Sequence, residues 1–219
     1  VHHPYLQRLA TGDLPSMRGA IRDYAYQYSY YSMDFTNYLE GVIGSLPYER
    51  QRAVIRENLE EEKGDPKATE LAKMPHTKLF SLFKQAAGVT PEFEKATPPC
   101  TTVLVWRDLF LQKCQSRQMG VALGGMGVGT EYVVPTIYSY ILRGLLEHSH
   151  LTKEDAFFFE LHSHADDEHA EDLNNIAVEM SEDLNVREAL RFGAFSALNL
   201  RKAFWDIMLA RAIDMPVER

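Results

Sequence analysis

The segment FFFELHSHADDEHAEDLNNIA, residues 157–177, holds the densest group of metal-ligand side chains in the chain. On a helix that advances about 100° per residue, Asp166 falls about 40° and His169 about −20° from His162. Phe158, Phe159, Leu173, Ile176 and Met180 share that stripe. Two imidazoles and a carboxylate therefore point where the helix should bury apolar surface. Desolvating them is costly unless each is paired or bound to a cation. Imidazole and carboxylate without thiolate suits iron or manganese better than zinc, and non-heme iron that activates oxygen commonly uses that mixture. The plain alternative is an Asp166 that hydrogen-bonds two core histidines. His164, Asp167 and Glu168 project away and read as a solvated face.

Glu131 is the lone charge of residues 118–142, so it sits on an otherwise buried helix. Gly127 and Gly124 precede it by one and two turns and are expected to leave open space beside the carboxylate. Pro135 has no N–H for the carbonyl of Glu131, which predicts a kink there. A salt bridge to an arginine from another helix is the competing explanation. Further upstream, Glu60, Glu61 and Glu62 end a helix, where the dipole disfavours anions. His76 begins an apolar helical face that continues through Leu79, Phe80 and Phe83. Arg201 and Lys202 are candidate anchors for a substrate carboxylate, with a solvated surface pair as the alternative.

These residues need helices to position them. Helical periodicity dominates the chain, and no alternating β pattern is present. A first helix is expected from about Ser16 to Gly44, carrying Tyr24, Tyr28, Tyr31, Phe35 and Tyr38 as one aromatic stripe. A second runs from Pro47 to Lys63, and a third starts at Pro75 and closes at Gly88. TPEFEKATPPC reads as a loop. A fourth helix covers Thr102 to Gln118, and a glycine-rich fifth continues to about His150. Thr152 with Asp155 makes a loose capping box for a sixth helix that reaches Met180. The last covers Val186 to Ile213. One all-α domain of about seven helices, residues 1–219, is the expectation.

Composition narrows the function classes. Among 219 residues, 31 acidic against 23 basic side chains give a net charge of −8, which disfavours nucleic acid as a partner. Two cysteines, Cys100 and Cys114, make no disulfide framework and no zinc motif, so the cytoplasm is the expected compartment. Residues 118–142 are better explained as a buried helix than as a membrane span. A homodimer is the base-rate expectation for an acidic helical protein of this size.

Taken together, HSHADDEH (162–169), GTEYVVP around Glu131, and ENLEEEKGD followed by PHTKLF resemble the heme-oxygenase-like diiron oxidases and oxygenases. These are relatives of the thiaminase-like TenA proteins and of the pyrroloquinoline-quinone biosynthesis C proteins. The resemblance covers about residues 20–210. It implies a heme-oxygenase-like helical bundle and six metal ligands: Glu62, His76, Glu131, His162, Asp166 and His169. Glu62 and His76 rest mainly on the family pattern, with Glu61 as the alternative to Glu62. The resemblance also implies two iron ions, dioxygen as co-substrate and a peroxo-diferric intermediate. The substrate would be a small amino acid, amine or carboxylic acid. Three other readings are a metal-independent enzyme of the same fold, a ferritin-like bundle through Glu147 and His150, and a non-catalytic iron-binding helical protein.

Overall fold

The computed structural model describes residues 1–64 and 71–217, with residues 164–168 described by their backbone alone. Every regular element among the described residues is helical. Helix α1 (Pro4–Ala10) opens the chain, with Pro4 in its first turn and the side chain of His3 accepting the amide of Tyr5. It was not legible as a helix, yet it buries Tyr5, Leu6 and Leu9 completely. The expected first helix is two: α2 (Met17–Ser32) and α3 (Phe35–Ser45). Asp34 stands at the break, where its carboxylate accepts a hydrogen bond from Asn37 at 3.2 Å. Short polar side chains of this kind favour helix junctions over helix interiors.

Helix α4 (Glu49–Glu62) and helix α5 (His76–Ala86) follow, with Pro75 just before α5 rather than inside it. The segment expected as a loop contains helix α6 (Pro91–Ala96). Thr90 caps it, its hydroxyl accepting the amide of Phe93, and Pro91 occupies the first turn. That is a standard start signal, outweighed in the sequence by the later prolines. Helix α7 (Thr101–Cys114) leads to α8 (Val121–Met126), and a π-helical turn, Gly127–Glu131, joins α8 to α9 (Val134–His148). Helix α10 (Phe157–Met180) is preceded by the expected capping box: Thr152 and Asp155 exchange amide-to-side-chain bonds at 2.9 and 3.2 Å. Helix α11 (Leu184–Ile213) closes the chain.

The core is strongly aromatic. Tyr24, Tyr28, Tyr31 and Tyr38 of α2 and α3 pack against Phe83, Trp106, Phe110, Phe159, Phe204 and Trp205, all nearly or fully buried. Against this block, α8 and the π turn lie on α11 at very short range. A Cβ added to Gly124 would stand 2.0 Å from the carbonyl oxygen of Leu190, and one on Gly193 2.1 Å from that of Val121. Gly124 therefore permits backbone contact between helices. The expectation that it opens volume beside Glu131 is corrected, because the space is filled by α11. Gly127 likewise faces Leu173, 3.3 Å from where a Cβ would stand. Among the described residues, no helix is long and apolar enough to cross a membrane.

Replacing a helical glycine with alanine normally gains about 1 kcal/mol. Gly193→Ala should instead lose about 1–3 kcal/mol, because the new methyl meets backbone that cannot step aside. Urea titration of the two proteins checks the sign.

Candidate metal centre

Glu62 is the last residue of α4, and it is buried at 5 % exposure where the helix dipole disfavours a carboxylate. What offsets the cost is in front of it. His76, first residue of α5, brings Nδ1 to 3.0 Å from Glu62 Oε1, and His162 of α10 brings Nε2 to 3.7 Å. One ligand-type atom from each of the three lies within 4.8 Å of the other two, and all three residues are buried. The rings of His76 and His162 are 4.6 Å apart, nearly edge to face. Burial alone would push the Glu62 carboxyl up, but the imidazoles of His162 and His76 outweigh it and hold it at about 2.

The nitrogen assignments follow from the partners. His162 Nδ1 lies 2.6 Å from the carbonyl oxygen of Phe158, one turn back on the same helix. A carbonyl only accepts, so Nδ1 carries the proton, and Nε2 is the ring atom turned toward Glu62. His76 Nδ1, despite its 3.0 Å separation from Glu62, lies off the direction of a hydrogen bond and counts as an orphaned buried atom. Two imidazole nitrogens and a carboxylate oxygen turned on one shared point suit a cation between them.

Glu131 closes the π turn. The amide of Tyr132 bonds the carbonyl of Gly127 five residues back, and the Thr130 hydroxyl bonds that of Gly125. The irregularity therefore begins a turn earlier than the kink expected from Pro135. Single π turns inside α-helices recur at functional sites. Glu131 is 3 % exposed, and its Oε1 has no hydrogen-bond partner. Burial pushes its carboxyl up to about 7; His169, His162 and Arg201 pull the other way, while Glu62 adds to the rise. His169 bonds Glu61 Oε2 through Nε2 at 2.8 Å. Glu61 is half exposed and Glu62 buried, which separates the two candidates at the end of α4. The side chain of Asp166 lies outside the described residues, as do those of His164, Asp167 and Glu168.

A family of iron-containing redox enzymes matches residues 22–202. The chain belongs to that family. Its fold is heme-oxygenase-like, as three solved structures show. A TenA homolog from Pseudomonas syringae pv. tomato superimposes with a TM-score of 0.75 at 15% identity, covering 95% of this chain and 85% of that one. A domain of unknown function with a heme oxygenase-like fold from Shewanella denitrificans gives 0.72 at 16% identity, over 96% and 85%. A CADD-like protein of unknown function from Nostoc punctiforme gives 0.67 at 16%, over 96% and 88%. The search of curated proteins finds no match.

In this member of the family the candidate ligands Glu62, His76, Glu131 and His162 face one cavity, also lined by Tyr28, Tyr31, Thr130, Tyr138 and Phe158. The space open to the centre of a water molecule is about 20 Å³, enough for a water or an ion. Part of the tyrosine stripe thus lines the cavity, while Tyr24 and Tyr38 serve the core. Tyr138 and Thr130 went unnoticed in the sequence; each stands four or more residues from any charged neighbour except Glu131, and Tyr138 falls two turns after it. For the ferritin-like reading, Glu147 is exposed and bonded to Arg143. Cys114 is buried away from the cavity, and burial pushes its thiol well up, out of the nucleophilic range.

The raised Glu131 carboxyl fixes a sign. The folded, metal-free protein holds this proton more tightly than the unfolded chain does. Stability should therefore fall as pH rises from the ordinary 4.5 through about 7, by roughly 3 kcal/mol at most at about 1.4 kcal/mol per unit. Glu131→Gln should remove that fall, and denaturation of both proteins across pH 5–8 checks it. Glu62, held low, contributes in the opposite sense and only below pH 4.5.

Proposed function

We propose that the chain is a non-heme diiron oxidase or oxygenase that activates dioxygen to oxidise a small amino acid, amine or carboxylic acid. The observation that carries this reading is the convergence of Glu62, His76 and His162 on one point, with the unpartnered Oε1 of Glu131 on the same cavity wall. The donor set fits iron: imidazole nitrogen and carboxylate oxygen, with no thiolate nearby. Under this reading Glu62, His76, Glu131, His162, Asp166 and His169 hold two iron ions, and the bound metals supply the electrons that reduce dioxygen.

The chain's own residues do the rest. Three carboxylates offset three of the four positive charges of a diferrous pair, which leaves the cluster cationic. The Phe158 carbonyl fixes the His162 tautomer and turns Nε2 inward. Glu131 must release its proton to bind metal, so metal uptake below about pH 7 expels a proton from that carboxyl. Glu61 holds His169 from the outer side and must yield or rotate with it for His169 to reach the cavity. The aromatic wall of Phe158 and the tyrosines keeps bulk water out.

Anaerobic titration with ferrous iron should load two ions per chain. Admission of air should then consume dioxygen and produce a transient visible absorption. His162→Ala and Glu131→Gln should lose most of the iron while retaining their far-ultraviolet circular dichroism. A wild-type protein that takes up no iron, or variants that bind it as wild type does, would count against the proposal. Direct proton release on ferrous binding at pH 6.5, absent in Glu131→Gln, is an independent check.

A further inference from the structure

The metal cavity leaves about 20 Å³ to the centre of a water-sized body. Anything larger enters only if part of the wall moves, and close-packed interiors resist that. Most of the wall is pinned. Tyr28 meets the rings of Phe80, Trp106, Phe204 and Trp205, which belong to α5, α7 and α11. Tyr31 and Thr130 are held from behind by Arg201 of α11, which is 3 % exposed. Its Nη2 donates to the Tyr31 hydroxyl at 3.3 Å and to Thr130 Oγ1 at 3.2 Å. Lys202 points outward and bonds Asp206 at 2.6 Å.

Two lining residues differ. Ser32 and Phe35 are half-buried, whereas every other residue described on the wall is buried. They flank the break between two helices: Ser32 ends α2, Phe35 begins α3, and exposed Met33 lies between them. Among the described residues the Phe35 ring meets one other ring, that of Tyr38 on its own helix, edge to face at 6.2 Å. A ring tethered through its own helix can change rotamer without separating two helices. The backbone beside it is anchored, because the Asp34 carboxylate accepts Asn37 at 3.2 Å and lies 3.8 Å from Arg107 Nε. The side chain is therefore the part free to move. Ser32 Oγ is buried and has no hydrogen-bond partner. Helical serines commonly bond a carbonyl three or four residues back, as Ser29 does to Tyr26 at 2.6 Å. Ser32 leaves its hydroxyl to the cavity instead.

We propose that the α2–α3 break is the entrance to the metal cavity, with Phe35 as the gate that sets the size of what enters and Ser32 as the first polar contact inside. Calling what enters a substrate rests on the metal-centre reading; the entrance itself does not. In the arrangement seen, the ring closes the cavity to anything much beyond a water. Turned outward, it opens a path past Ser32 toward the metal ligands.

The test uses chelator-treated, metal-free protein with Ser32→Cys on a Cys100→Ser background, so that a thiol stands where the orphaned hydroxyl was. Cys114, fully buried in the core, reports general unfolding. Alkylation by iodoacetamide and by the larger N-phenylmaleimide is followed by mass spectrometry, each rate divided by that of free cysteine. With Phe35 intact, position 32 should react slowly and discriminate against the larger reagent. Phe35→Ala should speed its labelling by at least about tenfold and shrink the discrimination, with Cys114 still protected. Phe35→Leu should fall between, and Phe35→Trp should slow the reaction several-fold. A rate at position 32 that both Phe35→Ala and Phe35→Leu leave unchanged overturns the proposal. So does a rise matched at Cys114, the mark of a protein that has merely loosened. Gated labelling in a protein that takes up no iron would sink the proposed function and leave the entrance standing.

Discussion

Two carboxylates buried in an aromatic core set the terms for everything around them. Glu62 and Glu131 are both at 5 % exposure or less, and they repel each other enough that Glu62 helps to raise the carboxyl of Glu131. Charge in such a medium must be matched or abolished. The chain matches Glu62 with two imidazoles and leaves Glu131 with a carboxyl raised toward neutrality. An asymmetric pair results, one acid held ionised and one that keeps its proton to far higher pH. Divalent cations could relieve both at once, which is why the arrangement reads as a binding site and not as a packing defect.

The helices are built around that pair. Glu62 ends α4, His76 begins α5, Glu131 ends the π turn, and His162 lies in the second turn of α10. Three of the four sit at element boundaries, where the backbone is not obliged to follow one helical face. The close approach of α8 to α11 through Gly124 and Gly193 presses the π turn against α11, and α11 in turn delivers Arg201 to the opposite side of Thr130. Backbone contact at the glycines and the polar cluster at Arg201 are therefore parts of one interface.

Much of this was legible in the sequence because it broke the sequence's own patterns. Glu131 stood out as a charge in an apolar stretch, and the run Glu60, Glu61 and Glu62 as anions at the wrong end of a helix, from which the family resemblance favoured Glu62; Glu131 and Glu62 are both buried. His162 stood out as an imidazole on an apolar stripe. Where the reading fell short, local spacing had competed with tertiary packing. Gly124 looked like room for a ligand, but a glycine on an inner face serves equally to admit another helix, and periodicity does not distinguish the two. The helix at Pro91 was hidden by the prolines after it, although Thr90 and Pro91 are a sound start signal. Arg201 was undecided beside Lys202. Its placement in line with Ala197, Phe204 and Met208 was the available clue, since those neighbours are all buried and only one of the two cations shares their face.

The π turn has a consequence of its own. It accommodates one more residue than an α turn would, and Glu131 is at its end. The turn has already absorbed that extra residue, so a further residue inserted between 127 and 130, with α8 pinned on α11, would swing position 131 by about 100°. The carboxylate would then leave the cavity with every amino acid of the site still present. Activity at such a centre is thus encoded partly as a length, and sequences that preserve all its side chains can still differ in whether those side chains meet.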